Sequence, residues 1–576
     1  MNLRSYLPAL EWTKNYKSQY LKGDLSAGLT VGVMLIPQGM AYAMIAGLPP
    51  IYGLYASTIP LIIYALFGTS RQLAVGPVAM VSLLTAAGIG NIAEGGTETY
   101  IALAILLAFM VGSIQFLLGA FRLGFLVNFL SHPVISGFTS AAALIIGLSQ
   151  LKHLLGVDIP RTHHVHEIIM NAIEKASEVH LVSLGVGLGG IVLILLARKI
   201  NRAIPGPLLA VVFGILAVYV FGLTDTGIKI VGSVPDGLPS MSTPTISMAS
   251  LQTLLPIALA ISLVSFMESI AVAKAIQAKH KDYKVVPNQE LIGLGLANIA
   301  GSFFQSYPVT GGFSRTAVND QAGAKTGLAA IISALLIVLT LLFLTPLFYY
   351  LPKTILASVI MVAVFGLIDY KEAVHLWSSN RSDFWILLTT FLATLLLGIE
   401  QGIGIGVVLS LAMIIYQTSK PHIAELGNVP GSQFYRNVKR FDDVETQDNL
   451  LALRIDAQMY FANANYIRDA IDQYVQKKGQ KLKGLIINSD SINNLDSSAI
   501  HSLSDLVDDL HNQDIKLMFS GVKGPVRDQM VKAHLIEKVG KDNFFMSVQE
   551  AVDHFNNEYK KLETNRNYTM QTNVKF

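Results

Sequence analysis

The chain has 576 residues, of which 52% are hydrophobic and only 14% charged, with a mean hydropathy of +0.50. This exceeds what a soluble core needs, so the composition fits a protein whose solvent is the bilayer. A formal charge of +3 is too small to suggest a nucleic-acid partner, and the absence of cysteine removes disulfides, thiolate metal sites and thiol nucleophiles together.

Residues 1–23 carry Arg4, Glu11, Lys14, Lys17 and Lys22 before any apolar run, so no cleavable leader is expected and the first span itself directs insertion. Fourteen spans follow, at about 25–48, 51–67, 73–90, 100–121, 134–151, 180–197, 207–222, 254–274, 288–303, 311–322, 327–346, 352–368, 383–399 and 402–418. With the N-terminus taken as cytosolic, the inner short loops hold Arg71, Arg122, Arg198, Lys199, Arg202, Lys279, Lys281, Lys284, Lys325, Lys371 and Arg381. The outer loops hold only Lys152, Arg161, Lys175, Lys229 and Lys353. This bias places both termini inside and calls for an even number of spans.

The third span opens with LAVGPVAMVS, and the tenth reads GGFSRTAVNDQA after YPVT. Both are interrupted by Gly or Pro and hold equivalent positions in a seven plus seven arrangement, the pointer to an inverted-repeat transporter with a site near the midplane. Two half-helix N-termini facing one another offer free N–H groups and positive dipole ends to an anion. Arg315 adds a full charge and a fork of donors, and Ser314 a hydroxyl. Against this stands the plain reading in which Arg315 snorkels to the cytosolic side.

Glu268, in the eighth span, has no opposite charge on its own face, and a carboxylate at membrane depth must pair or take up a proton. Pairing with Arg315 across the cavity would satisfy the first requirement, and a change in that pairing would couple transport to protons. A static ion pair between two helices is the alternative. In the first span Pro37 kinks the helix near Gln38; Gln38 and Tyr42 share one face and would line the same cavity as Val78 and Phe313. His163, His164 and His166 cluster in an outer loop with no acidic partner fixed near them, which reads as a solvated loop rather than a metal site.

Charges become dense near Lys420, which divides the chain into an N-terminal tail (1–23), a transport domain (24–418), a linker (419–431), an α/β domain (432–560) and a C-terminal tail (561–576). No GxxxxGK[ST] loop is present, so ATP-driven transport is unsupported, and no catalytic chemistry or cofactor is expected.

The segment PIYGLYASTIPLIIYALFGTSR, Pro50 to Arg71, resembles the signature of the sulfate permease (SulP) family: P-x-Y-G-L-Y, two small residues and a closing G-[GST]-S-[KR]. IPQGMAYAMIAGLPP, NQELIGLGLANIAGSFFQSYPVTGGFSRTAV and the C-terminal domain follow the family's order, so the resemblance covers about residues 20–560. It implies a helical membrane fold of core and gate domains moving by elevator-like alternating access, usually as a homodimer, in a cell's inner (plasma) membrane with the C-terminal STAS domain in the cytosol. The implied anion-binding positions are Gln38, Tyr42, Val78, Phe313, Ser314 and Arg315, with Glu268 at the acidic position associated with proton coupling. Animal relatives often carry Phe where this chain has Tyr42 and Val78, and Ser where it has Gly312, which bears on anion size. In LIINSDSINNLDSSAIHSL, Asp496 and Ser497 match the Asp-Ser pair of STAS domains; the serine is a candidate regulatory phosphosite, against the stronger plain reading of Asp496 as a helix cap and Ser497 as a surface residue. The implied function is proton-coupled uptake of sulfate. Alternatives are a bicarbonate or C4-dicarboxylate carrier, with proton or sodium coupling, and a passive exchanger or channel.

Overall fold

The computed structural model describes residues 7–90, 92–125, 131–159, 165–200, 205–280 and 282–573. Arg4, Arg161, His163, His164, Arg202 and Lys281, which enter the readings above, lie outside the described residues. The chain forms two compact units that divide between Ser410 and Leu411.

Helical segments occupy all fourteen positions read from the apolar runs, the first thirteen in the first unit and the fourteenth running across the division. They are α1 (Ser18–Ile45), α2 (Ile59–Phe67, preceded by the short helix Ile51–Tyr55), α3 (Ala79–Gly90), α4 (Glu98–Ala120), α5 (His132–Ser149), α6 (Leu181–Ile200) and α7 (Gly206–Val220), then α8 (Met248–Lys279), α9 (Pro287–Ser302), α10 (Phe313–Gln321), α11 (Leu328–Leu339), α12 (Lys353–Phe365), α13 (Arg381–Leu397) and α14 (Ile399–Ser419). Eight helices among the described residues are long and apolar enough to cross a membrane, whereas α3 has 12 residues and α10 only 9. Each of these two is preceded by a two-residue strand, β1 (Val75–Gly76) and β2 (Thr310–Gly311). Helix α8 is longer than its expected 254–274, because Ser247 caps it by accepting from Ser250 N at 3.1 Å and AVAKAIQAK carries good helix formers past the apolar window. Helix α1 runs through Pro37, whose missing N–H removes the bond that the Val33 carbonyl would accept.

Packing of the spans rests on glycine. A Cβ on Gly53, the glycine of the IYGLY stretch, would fall 1.9 Å from the carbonyl oxygen of Gly39 in α1, and one on Gly39 would fall 2.9 Å from that of Gly53. Helices α4 and α9 meet in the same way, a Cβ on Gly295 lying 2.6 Å from Phe116 N and 2.8 Å from Gly112 O. Such backbone approach is how helices associate where lipid supplies no hydrophobic drive.

Two buried carboxylates tie loops to spans. Glu290 in α9 accepts from Tyr64 Oη (2.7 Å), Thr69 N (2.6 Å), Thr69 Oγ1 (2.5 Å) and Ser70 N (3.1 Å), which fixes the GTS turn at the end of the signature segment. Asp24 at the start of α1 accepts from Lys325 N (2.6 Å), Thr326 N (3.0 Å) and Thr326 Oγ1 (2.7 Å).

The second unit is an α/β domain with a six-stranded sheet, β4-β3-β5-β6-β7-β8, from β3 (Ile423–Asn428), β4 (Tyr435–Asn437), β5 (Leu450–Ile455), β6 (Gly484–Asn488), β7 (Lys516–Ser520) and β8 (Phe544–Phe545). Strands β5 to β8 run parallel and β3 pairs antiparallel with β4 and β5. Strand alternation separates two cores: Leu451, Leu453, Leu485 and Phe519 on one face, and Leu450, Ala452, Ile486 and Met518 on the other. The first packs against helices α15 (Ala464–Lys478) and α16 (Ser497–Asn512), the second against Val552 and Phe555 of the C-terminal helix Val548–Asn573. Two expectations are corrected. The stretch 419–431 is not a bare linker, since β3 lies in it; its alternation is only six residues long and holds a glutamate. The stretch 561–576 is not a bare tail, since the helix continues to Asn573 on polar residues that carry no apolar stripe.

Replacing Gly53 by Ala puts a methyl against backbone that no rotamer change can clear, at a cost above the ~1–3 kcal/mol typical of overpacking. Gly53→Ala is expected to abolish the monodisperse peak in detergent size-exclusion, whereas Gly185→Ala, with nothing within 4 Å of its Cβ, is expected to retain it.

Candidate functional site

The two half-helices start where their strands cross, Val75 pairing with Gly311 and Gly76 with Thr310, antiparallel. In lipid every backbone group at such a break needs a partner, and most are supplied here by side chains. Gly312 N donates to Ala74 O (3.0 Å) and Ala74 N to Thr316 Oγ1 (3.0 Å). The amide of Asn298 takes both polar groups of Val309, donating to its carbonyl at 3.1 Å and accepting from its N–H at 2.8 Å. Ser269 Oγ accepts from Gly311 N (2.9 Å), and because Thr310 Oγ1 donates to Ser265 O (2.7 Å), Ser269 is the donor in its 2.6 Å bond with Thr310 Oγ1. Helix α8, which carries Glu268, is thereby bonded to the strand that leads into α10. The first-turn N–H groups of α3 and α10 have no intrahelical acceptor.

A cavity of about 1150 Å³ opens at this crossing. One wall comes from α1, α3, α8 and α10, the other from α5, α6, α7, α12 and α14. Each wall draws on equivalent spans of the two halves, first with eighth and third with tenth on one side, fifth with twelfth and seventh with fourteenth on the other, as an inverted repeat divided into a core and a gate requires. All seven residues singled out from the sequence line it: Gln38, Tyr42, Val78, Glu268, Phe313, Ser314 and Arg315. Phe313 is 63% exposed and Ser314 is exposed, while Gln38, Tyr42 and Val78 are buried.

Arg315 is 2% exposed, so it does not snorkel. Its Nη1 donates to Pro77 O at 2.6 Å, and its Nε and Nη2 are buried with no acceptor. Two acceptors on the same cavity, Glu268 Oε2 and Gln38 Oε1, are buried with no donor. The expected pairing of Glu268 with Arg315 is not made as a contact: among the described residues no ion pair joins them, because the guanidinium is drawn onto the Pro77 carbonyl instead. A buried charge held this way is costly unless further acceptors complete its bonds.

Several contributors escaped sequence reading. Pro77 supplies an acceptor through its carbonyl, visible in sequence only as part of the AVGPVA break. Asn298, Ser265, Ser269 and Gln115 support the crossing from α4, α8 and α9, and small polar residues in apolar spans were the available signal. Glu290 was, like Glu268, an intramembrane carboxylate, and the structure gives it a tethering task. In the second unit Asp496 caps α16, its Oδ1 accepting from Ala499 N at 2.8 Å and its Oδ2 from Phe461 N at 2.7 Å, while Ser497 is exposed beside it.

Paired half-helices on crossing strands, facing a cavity between two sets of repeat-related spans, define a helical membrane transporter of the inverted-repeat class. Residues 21–390 match the profile of the Sulfate permease family and residues 443–551 that of the STAS domain. The chain belongs to the sulfate permease family. Its relatives include "Sulfate transporter 4.1, chloroplastic" of Arabidopsis thaliana, 42% identical over 563 residues that cover 95% of this chain and 82% of the relative. "High affinity sulfate transporter 2" of Stylosanthes hamata is 34% identical over 96% of this chain and 86% of its own. Among solved structures, the murine Solute Carrier 26 family member A9 anion transporter in the inward-facing state is similar at a TM-score of 0.88 and 26% identity, over 96% of this chain and 94% of that one. The transmembrane domain of the cyanobacterial bicarbonate transporter BicA shares the fold at a TM-score of 0.59 and 23% identity, over 69% of this chain and 98% of that one.

Asn298→Ala strands two buried backbone groups of Val309, each worth ~1–3 kcal/mol when unsatisfied. It is expected to lower the thermal midpoint of the purified protein by more than any single truncation on the cavity surface, such as Ser314→Ala, as read by intrinsic fluorescence.

Proposed function

We propose that the protein carries out secondary active uptake of a small inorganic anion, sulfate first, coupled to protons through Glu268. The observation that carries this reading is Arg315: a buried guanidinium with two unpartnered nitrogens, at the start of one half-helix and beside the start of another. A tetrahedral oxyanion supplies several acceptors at once, and a guanidinium fork with adjacent N–H groups matches it. Sulfate as the cargo is further supported by the relatives' names.

Glu268 and Arg315 share the cavity without touching, so the carboxylate is free to take up a proton as the anion's charge arrives and leaves. Movement follows the division of the cavity walls. The set bearing both half-helices carries the anion past the other set, exposing the site alternately to either side of the membrane by elevator-like displacement. Likeness to an anion transporter in the inward-facing state supports reading this cavity as open to the cytosol. In this scheme the protein is a homodimer of the cell's inner (plasma) membrane with both termini and the STAS domain cytosolic. Ser497, exposed at the start of α16, is its modification point, where a phosphate would meet a helix N-terminus.

The test is uptake of radiolabelled sulfate into proteoliposomes, with and without an inward proton gradient, with bicarbonate and succinate as competitors. Gradient-stimulated sulfate uptake is expected. Uptake indifferent to the gradient rejects proton coupling, and suppression of only a bicarbonate or succinate signal moves the cargo. Arg315→Ala is expected to weaken sulfate by roughly 10–100-fold, the range of hydrogen bonds to a charged group. Glu268→Gln is expected to keep sulfate binding and lose the gradient stimulation; retained stimulation would assign the proton to another residue.

A further inference from the structure

Two glycines flank the guanidinium of Arg315 for different reasons. Gly76 has φ +151°, a conformation L side chains rarely adopt, so its backbone demands glycine. Gly312 does not fit that account. It caps α10 with φ −93° and ψ 130°, ordinary extended backbone that any residue adopts, at a position where Ser, Asp or Asn is usually preferred. What it lacks is room: a Cβ there would lie 2.9 Å from Arg315 Nη2, 3.1 Å from Arg315 Cζ and 3.3 Å from Val78 Cγ1. A Cβ on Gly76 would lie 3.4 Å from the same Nη2. The guanidinium therefore rests in a slot beside two glycines, with Nη1 on the Pro77 carbonyl at 2.6 Å.

We propose that Gly312 is the size-determining residue of the anion site, an inference that rests on reading this cavity as the transport site. Without a side chain at 312 the guanidinium withdraws into the slot, which leaves room for a tetrahedral dianion between the first turns of α3 and α10. Any Cβ at 312 would meet the guanidinium at less than contact distance. The guanidinium is the far end of a flexible side chain that lines the cavity, so it yields into the cavity, leaves Pro77 O and narrows the anion space. Charge is unchanged by this displacement and shape is not, so the preference shifts from sulfate toward small monovalent anions.

Gly312→Ala and Gly312→Ser, made in the full chain and reconstituted in proteoliposomes, test this with sulfate as the transported probe and chloride as competitor. The expected result is a fall of about tenfold in the preference for sulfate over chloride, the scale of one misplaced methylene. An unchanged preference in variants that still transport overturns the proposal. Arg315→Lys lacks the Nη2 that a Cβ at 312 would meet most closely, so in that background Gly312→Ala should alter the preference less; an equal effect there also overturns it. If Gly312→Ala fails to fold, recovery of the folded protein in the Arg315→Lys background supports the slot, and failure in both backgrounds shows that glycine serves the backbone. If the wild type takes up no sulfate, the transport reading fails instead. The slot is then judged by a cryo-EM structure of Gly312→Ala: the guanidinium must have left Pro77 O, and one still bound there overturns the proposal.

Discussion

A guanidinium carries five N–H donors, and that of Arg315 finds a single protein acceptor, the carbonyl of Pro77. Holding it there requires a surface that is polar on one side and immovable on the other. The crossing of β1 and β2 is that surface, and much of the surrounding polar structure exists to keep the crossing whole. Asn298 completes Val309, Ser269 completes Gly311, Thr316 completes Ala74, and Gln115 steadies Ser265 at 2.8 Å. With these bonds made among themselves, Nε and Nη2 of Arg315 remain without an acceptor beside the half-helix starts on the cavity.

Close packing extends the same logic outward. Helices that touch backbone to backbone, as at Gly39 with Gly53 and Gly112 with Gly295, cannot slide past one another without a collision. The facing wall, drawn from α5, α6, α7, α12 and α14, meets the wall that bears the half-helices across the cavity. In the proposed elevator-like displacement, these two sets of helices would move past one another to expose one site to two sides of a membrane.

The fourteen segments were legible because each needs an apolar run, and the two half-helices because Gly and Pro interrupt them at LAVGPVA and YPVTGGFSR. Arg315 and Glu268 stood out as lone charges in apolar surroundings, and both line the cavity. Their expected contact was not made, since the competing acceptor is a main-chain carbonyl and a residue letter does not say where its carbonyl points. Helix α1 runs on through Pro37, because one missing N–H removes a bond without ending the helix. Strand β3 and the final helix were missed for a different reason: IAELGN is too short to show a period, and the last turns before Asn573 carry no apolar stripe. Part of what the sequence hid was pairing between residues more than two hundred positions apart, as of Arg315 with Pro77 and Glu290 with Thr69.

That separation has a consequence for biogenesis. Glu290 receives N–H groups from a loop 221 residues earlier, and Asp24 receives them from a loop 301 residues later. Strand β1 likewise waits for β2, which belongs to the second half of the domain. A chain inserted from its N-terminus, span by span, therefore holds Asp24 and the broken third span in the membrane before their partners have been synthesised. The first half is then left with unfinished polar bonds, and the crossing of β1 and β2 is completed only when the tenth span arrives.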